Sequence, residues 1–117
     1  MELKSVEFIK EALLPWDMPD KGVKRQIMGY DKNIMMVKIV IEKDTVGKLH
    51  THKHSQTTYV VSGRFEVEID NKKEILTGGD GFYVPPNVKH GLICLETGIL
   101  IDVFSPYRDD FLINENR

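Results

Sequence analysis

Short apolar or alternating runs, separated by turn-forming residues, fill most of the chain. In residues 64–69 every second side chain is apolar, so Phe65, Val67 and Ile69 would face a core while the charges between them face solvent. Residues 34–41 are almost continuously apolar and rich in β-branched side chains, which is typical of a strand buried over most of its length. The pattern therefore predicts a chain made of β-strands.

Further strands are predicted on both sides of these two segments. They cover residues 23–29, 57–61, 74–76, 82–84, 92–95 and 99–104, and the turns between them fall at residues 30–33, 44–47, 62–63, 70–73 and 78–81. Residues 1–14 fit either a short helix or an amphipathic strand, and a loop is predicted for residues 15–22. Many short strands without a long helical pattern favour an all-β sandwich or barrel.

The length of the chain, 117 residues, is enough for one domain with a substantial core but not for two. We divide this single domain into an N-terminal segment (1–22), a β-barrel (23–104) and a C-terminal tail (105–117). The net charge is −2 and no dense basic block occurs, which argues against nucleic acid or an anionic membrane as the main partner.

The cysteine content and the distribution of apolar residues bear on the cellular compartment. Cys94 is the only cysteine, so an intrachain disulfide is excluded, and a reducing cytoplasm is the simpler location. The first residues lack the long apolar run of a signal peptide, and no stretch approaches the roughly 20 apolar residues that a membrane helix needs. We therefore expect a cytoplasmic protein.

Three of the four histidines alternate along one short stretch. On a regular strand His50, His52 and His54 would share one face with Gln56, because side chains two residues apart point the same way. The fourth, His90, follows a segment rich in glycine and proline. Several imidazoles in a β-patterned chain predict a transition-metal site, for which nickel, iron, manganese, cobalt and zinc all remain possible.

Two stretches of the chain resemble the two characteristic motifs of the cupin superfamily. The first matches in spacing through His50-x-His52-x3-Gln56-x6-Gly63. The second matches through Gly79-x5-Pro85-x-Asn87-x2-His90. The resemblance implies a double-stranded β-helix, or jelly-roll barrel, with a metal in its mouth and a homodimer in which the N-terminal strand often crosses to the partner.

Four positions depart from the family pattern. Gln56 stands where glutamate is expected, Asp44 and Asn87 stand at glycine positions, and Cys94 replaces an asparagine. Because asparagine tolerates left-handed backbone geometry, we expect the turn at Asn87 to be preserved. With Gln56 as a neutral ligand, a divalent ion would keep its full charge and attract an anionic ligand more strongly.

A finer resemblance joins the run HTHKHSQTTYVVSGRFEVEID, the segment PPNVKHG and the ending DVFSPYRDDF to the pectin-degradation (KdgF-type) cupins. That family opens or linearises the unsaturated monouronates that pectate and alginate lyases release. The resemblance implies a set of metal ligands, namely His50, His52, Gln56 and His90. It also implies that Asp102, Phe104 and Arg108 lie beside the substrate, whereas the family's histidine at the position of His54 is not usually counted as a ligand.

Asp102 is unusual because it interrupts the apolar run 99–104, and a buried carboxylate must be paired or hydrogen-bonded. It would serve in proton transfer if it points into the barrel mouth, or form a structural ion pair with Arg25 or Lys38. Phe104 shares its parity and would line the same pocket.

Arg108 lies in the tail, where it would either grip a substrate carboxylate or remain a solvated charge. Tyr59 is a further candidate for binding the substrate. His54 would either complete the metal set in place of Gln56 or lie outward at the rim.

Three functions follow from these candidates. The leading hypothesis is a metal-dependent lyase- or isomerase-like enzyme acting on a small anionic sugar derivative, with Asp102 and Arg108 as its catalytic residues. A metal-dependent dioxygenase is the first alternative, although the usual carboxylate ligand of iron oxygenases is missing. The second alternative is a module that binds metal and ligand without catalysis.

Overall fold

The computed structural model describes residues 3–112, so the expectations for residues 1–2 and 113–117 lie outside it. Within this range the strands are β1 (Asp17–Asp20), β2 (Val23–Asp31), β3 (Ile34–Ile41), β4 (Val46–His50), β5 (Ser55–Ile69), β6 (Lys72–Thr77), β7 (Gly81–Val84) and β8 (His90–Ser105). A 3₁₀ helix, Glu11–Leu13, precedes them, and a short helix α1, Asp109–Leu112, follows them. No helix within residues 3–112 is both long and apolar enough to cross a membrane.

The strands pair antiparallel in the order β1-β2-β3-β8-β5-β6, while β4 pairs with β8 and β7 pairs with β5. The two long strands, β5 and β8, pair with each other along almost their whole length. Strand β8 also pairs with β4 through its first half and with β3 through its second half. This arrangement confirms the predicted all-β jelly-roll class.

Two clusters of buried apolar side chains form the core. The larger contains Ile41, Val60, Phe65, Val67, Cys94 and Leu100. The smaller contains Met35, Val37 and Phe104, with partly buried residues of the tail packed against it. The inward alternation predicted for residues 64–69 is confirmed, and Cys94 is fully buried in the larger cluster.

Several predicted boundaries are wrong, and three of the differences change the number or the continuity of the strands. Residues 62–63 lie inside β5, where the register shifts and Gly63 adopts a φ of +91°, so they kink a continuous strand instead of closing a hairpin. Residues 92–95 and 99–104 likewise belong to the single strand β8. The loop predicted for residues 15–22 contains β1, whose pairing partner β2 could not be inferred from so short and polar a sequence.

Gly98 and Gly63 let β8 and β5 approach closely at this kink. A Cβ added to Gly98 would lie 2.1 Å from the carbonyl oxygen of Ser62 and 2.6 Å from the Cα of Gly63. Since both contacts are backbone atoms, Gly98→Ala is expected to lower the free energy of unfolding by about 3 kcal/mol. Gly79→Ala is the control, because Gly79 has a φ of +98° but open space around it. It should cost only about 1–2 kcal/mol in backbone strain. Equal losses in urea denaturation would contradict the close approach.

Candidate metal centre

The pairing of β4 with β8 brings two histidines together from distant parts of the chain. His50, the last residue of β4, is the register partner of His90, the first residue of β8. The centroids of their rings lie 4.3 Å apart. The barrel topology therefore joins the two sequence motifs at one end of the sheet.

His52 does not lie on a strand, because β4 ends at His50 and β5 begins at Ser55. The backbone N–H of Asn87 donates to the carbonyl oxygen of His52 over 2.8 Å, which ties this loop to the turn before His90. Asn87 has a φ of +65°, so the predicted left-handed turn is confirmed. The asparagine that replaces a glycine of the motif therefore helps to position His52.

His50, His52 and His90 form a cluster able to hold a metal ion, with one ring nitrogen from each lying within 4.8 Å of the others. Each Nδ1 lies close to a backbone carbonyl oxygen. The distances are 2.8 Å from His50 to Lys48, 3.1 Å from His52 to His54 and 2.9 Å from His90 to Val88. Since a carbonyl can only accept, the proton of each neutral ring resides on Nδ1 and the Nε2 lone pair is left for a metal. Burial favours the neutral form, because it lowers the pKa of His52 and lowers that of His90 to about 4.

Gln56 adds an oxygen to this cluster. Its Oε1 lies 3.0 Å from Nε2 of His52. When His52 is neutral and protonated on Nδ1, this contact sets two lone pairs against each other, which a cation between them would relieve. Two donors that bind one ion at about 2.1 Å and at a right angle lie about 3.0 Å apart. The chemistry of the donor set therefore fits a divalent transition metal.

The side-chain amide of Gln56 also reaches Asp102. Its Nε2 donates to Oγ1 of Thr58 over 3.0 Å and to Oδ1 of Asp102 over 3.4 Å. The hydroxyl of Thr58 donates to the same Oδ1 over 2.6 Å. All three side chains are buried, since they project inward from paired positions of β5 and β8. A hydrogen-bonded chain thus runs from Gln56, beside the imidazole cluster, through Thr58 to the carboxyl group of Asp102.

Burial raises the pKa of Asp102 to about 6, against the opposing effects of the Thr58 hydrogen bond and the Arg108 charge. The alternative expectation of a structural ion pair is wrong. Arg25 pairs with Asp17 at 2.8 Å, and Lys38 pairs with Glu11. Asp102 therefore depends on neutral hydrogen-bond donors instead of a directly paired cation.

A cavity of about 310 Å³ opens beside the hydrogen-bonded side chains of Gln56 and Asp102 and lies between the two core clusters. Its polar lining comes from His50, Gln56, His90, Asp102, Arg108 and Thr45. Its apolar walls include Phe104 and Phe111, whose ring centroids lie 5.7 Å apart in an edge-to-face arrangement. Phe104 thus lines the same cavity as Asp102, as expected from their shared parity.

Arg108 lies over the cavity with its guanidinium held on three sides. It stacks 5.2 Å above the ring of Phe104 and 4.3 Å above that of Phe111. Its Nε and Nη2 donate to the two carboxylate oxygens of Asp110 over 3.0 and 2.9 Å. The expectation of a freely solvated tail charge is wrong, because the side chain is largely covered.

Two other candidates lie away from the cavity. Tyr59 does not line it, because its position on β5 is one residue out of phase with Thr58 and leaves it 53% exposed on the outer face. His54 is buried instead of pointing outward, and both of its ring nitrogens lack a hydrogen-bond partner among residues 3–112. The three-imidazole cluster does not include His54.

Two further residues of this region, Thr58 and Phe111, are not among the candidates that the sequence pattern suggests. Thr58 shares the inward parity of Gln56, so its position two residues further along the strand was an available signal. Phe111 had no such signal, because only the folding of the tail over the barrel brings helix α1 to the cavity.

Comparisons with known proteins cover nearly the whole described chain. The family model of the cupin domain matches residues 37–104. The pectin degradation protein KdgF of Dickeya dadantii is 43% identical over 100 residues, which is 84% of this chain and 91% of that protein. An RmlC-like cupin from Shewanella frigidimarina superposes with a TM-score of 0.90 at 44% identity, covering 92% of this chain and 97% of that one. KdgF from Halomonas sp. superposes with a TM-score of 0.86 at 36% identity, covering 90% and 99% of the two chains.

Proposed function

This chain belongs to the cupin family, and we propose that it is a metal-dependent enzyme that opens the ring of unsaturated uronates. The observation that carries the proposal is the 43% identity with a pectin degradation protein over 91% of that protein's length. The cluster of three imidazoles beside a buried carboxyl group supports it. A uronate also supplies the negative charge that a cationic site with a nearby arginine would attract.

We propose that His50, His52, Gln56 and His90 hold the metal, for which nickel, iron, manganese, cobalt and zinc remain candidates. When bound, such an ion supplies Lewis acidity that stabilises developing oxyanion charge. Because the four donors are neutral, the site keeps the full charge of a divalent ion for an anionic ligand. The cavity volume of about 310 Å³ is suited to a small molecule such as a monosaccharide.

Asp102 would carry the proton in this reaction. Ring opening breaks the bond between the anomeric carbon and the ring oxygen, and the proton of the anomeric hydroxyl is released. The carbon–carbon double bond then takes up a proton as the enol becomes a ketone, so atoms balance without an oxidant or reductant. A cavity-lining carboxyl group that can take up and return a proton meets this requirement.

Arg108 would orient the substrate carboxylate. Asp110 occupies its Nε and one position on Nη2, and no other hydrogen bond engages the guanidinium among residues 3–112. The remaining N–H groups are therefore available to a carboxylate in the cavity. Phe104 would support both the guanidinium and the bound sugar.

The test is to incubate purified, metal-loaded protein with 4,5-unsaturated galacturonate and follow the ultraviolet absorbance of its alkene. The absorbance should fall faster than with the variant His50→Ala, and the product should be the ring-opened keto sugar. Equal rates with the two proteins would reject the activity. Oxygen uptake measured in parallel would reveal a dioxygenase instead.

Gln56→Glu provides a second prediction from the donor set. The new carboxylate would lose the amide N–H that now points at Asp102, and it would set two carboxylates within hydrogen-bond distance of each other. Ring-opening activity is expected to fall about 10- to 100-fold, as for other changes next to a metal site. Metal retention should be undiminished, because a carboxylate is at least as good a ligand. Elemental analysis and the absorbance assay measure the two effects, and full activity would contradict the role of the neutral amide.

We also infer that the chain is a single cupin domain that works as a homodimer in the cytoplasm. Phe8, Leu13 and Met18 of the N-terminal segment are highly exposed apolar side chains, which supports a covering partner. The free, buried Cys94 is compatible with a reducing compartment. Light scattering coupled to size-exclusion chromatography would give the oligomeric mass.

A further inference from the structure

Thr58 is a polar side chain in the interior of the barrel, with only 3% of its surface exposed. It lies directly opposite Asp102 in the register of β5 and β8. Its hydroxyl uses both of its hydrogen-bonding functions, because it donates to Asp102 and accepts from Gln56. The direction of these hydrogen bonds is therefore fixed. If the hydroxyl of Thr58 donated elsewhere, the carboxylate of Asp102 would lose its shortest hydrogen bond.

The two hydrogen bonds that Asp102 receives converge on a single oxygen. Thr58 donates to Oδ1 over 2.6 Å and Gln56 donates to Oδ1 over 3.4 Å. Among residues 3–112 no hydrogen bond reaches Oδ2, and Oδ2 is not one of the fully buried atoms that lack a partner. Because Asp102 lines the cavity, the accessible oxygen is Oδ2.

The same hydroxyl fixes which way the amide of Gln56 points. An amide whose Nε2 donates to Thr58 and Asp102 must turn its Oε1 toward His52. The side chain of Thr58 therefore bears on two groups at once, the carboxyl that faces the cavity and the oxygen that faces the imidazole cluster.

We propose that Thr58 is a positioning residue that reserves Oδ1 of Asp102 for hydrogen bonding and leaves Oδ2 as the atom that exchanges the proton. This inference rests on the proposed ring-opening function. The hydroxyl takes no part in binding the substrate, because Thr58 does not line the cavity. Its loss should therefore affect the proton-transfer step and leave substrate binding intact.

The experiment compares two matched variants in the metal-loaded enzyme. Thr58→Val keeps the shape of the side chain and removes the hydroxyl, whereas Thr58→Ser keeps the hydroxyl and removes the methyl group. The valine variant is expected to lose about 10- to 100-fold in kcat with an unchanged KM, and the serine variant to retain most of the activity. Elemental analysis should show that both variants keep the metal, since the three imidazoles are untouched.

Full activity of Thr58→Val would overturn the inference, and so would an equal loss in both variants, which would indicate packing. Crystal structures of the two variants provide a readout that needs no substrate. The carboxyl group of Asp102 should rotate in Thr58→Val and stay in place in Thr58→Ser, and an unmoved carboxyl in the valine variant would count against the proposal. If the wild-type protein opens no uronate ring, the proposed function fails, while the carboxyl position still decides what Thr58 does.

Discussion

Replacement of His90 by alanine is expected to remove both the bound metal and the ring-opening activity. His90 is buried, and the centroid of its ring lies 4.3 Å from that of His50 and 4.7 Å from that of His52. Without it, two imidazoles and one amide oxygen remain, and water would have to replace a preorganised nitrogen. The loss of activity should exceed the roughly 100-fold that marks the upper range for residues that only support a ligand.

The matched control for this prediction is His54→Leu. It removes a buried imidazole from the same region, and both nitrogens of that ring lack a hydrogen-bond partner among residues 3–112. Metal content from elemental analysis should stay near the wild-type value in this variant and fall close to zero in His90→Ala. If His54→Leu lost the metal as completely as His90→Ala, the ligand set would have to include His54 in place of Gln56.

The contrast between these histidines shows how far strand parity can be used. A regular strand would place His50, His52, His54 and Gln56 on one face. The structure ends β4 at His50 and starts β5 at Ser55, so parity holds only within each strand. The loop between them nevertheless brings His52 beside Gln56, because the turn at Asn87 holds its backbone. The spacing of the motif predicts that His50, His52 and Gln56 lie close together. The path of the backbone through His52, however, depends on its hydrogen bond to Asn87, which is far along the chain.

Parity predicts more reliably which side chains share a face when they lie within one continuous strand. Asp102 and Phe104 share a face of β8, and both line the cavity. Parity does not select Tyr59, which lies on the opposite face of β5 from Thr58. Position 58 lies in a predicted strand, but its threonine does not stand out in the sequence, because a threonine in a strand is usually explained by β-propensity alone.

The long strands and the tail were the hardest features to predict. Ser62 and Gly63 have the composition of a hairpin turn, and only the facing Gly98 on β8 shows why the strand continues through them. The tail is polar in composition, but Phe111 and the aromatic stacking of Arg108 attach it to the cavity. Such contacts join segments that are close only after folding, so neither composition nor periodicity reveals them.

Asp102→Asn is expected to lower ring-opening activity by about 10²- to 10⁴-fold, the usual contribution of a general acid–base group, while the metal stays bound. Asparagine has the same shape, and its Oδ1 can still accept from Thr58 and Gln56. Because those two donors select the oxygen, the amide nitrogen would occupy the position of Oδ2 and face the cavity. An amide there neither takes up nor releases a proton near neutral pH, so it cannot replace the carboxyl group as the proton carrier.

The thermal stability of Asp102→Asn shows whether activity is lost because the proton carrier is missing or because the protein unfolds. A buried carboxyl group whose pKa is raised to about 6 is unfavourable when charged, so a neutral amide in its place should leave the melting temperature unchanged or higher. We therefore expect Asp102→Asn to have reduced activity, an unchanged metal content and a melting temperature that is unchanged or higher. Wild-type turnover by Asp102→Asn would contradict the assignment of Asp102, since no other carboxyl group lines the cavity among residues 3–112.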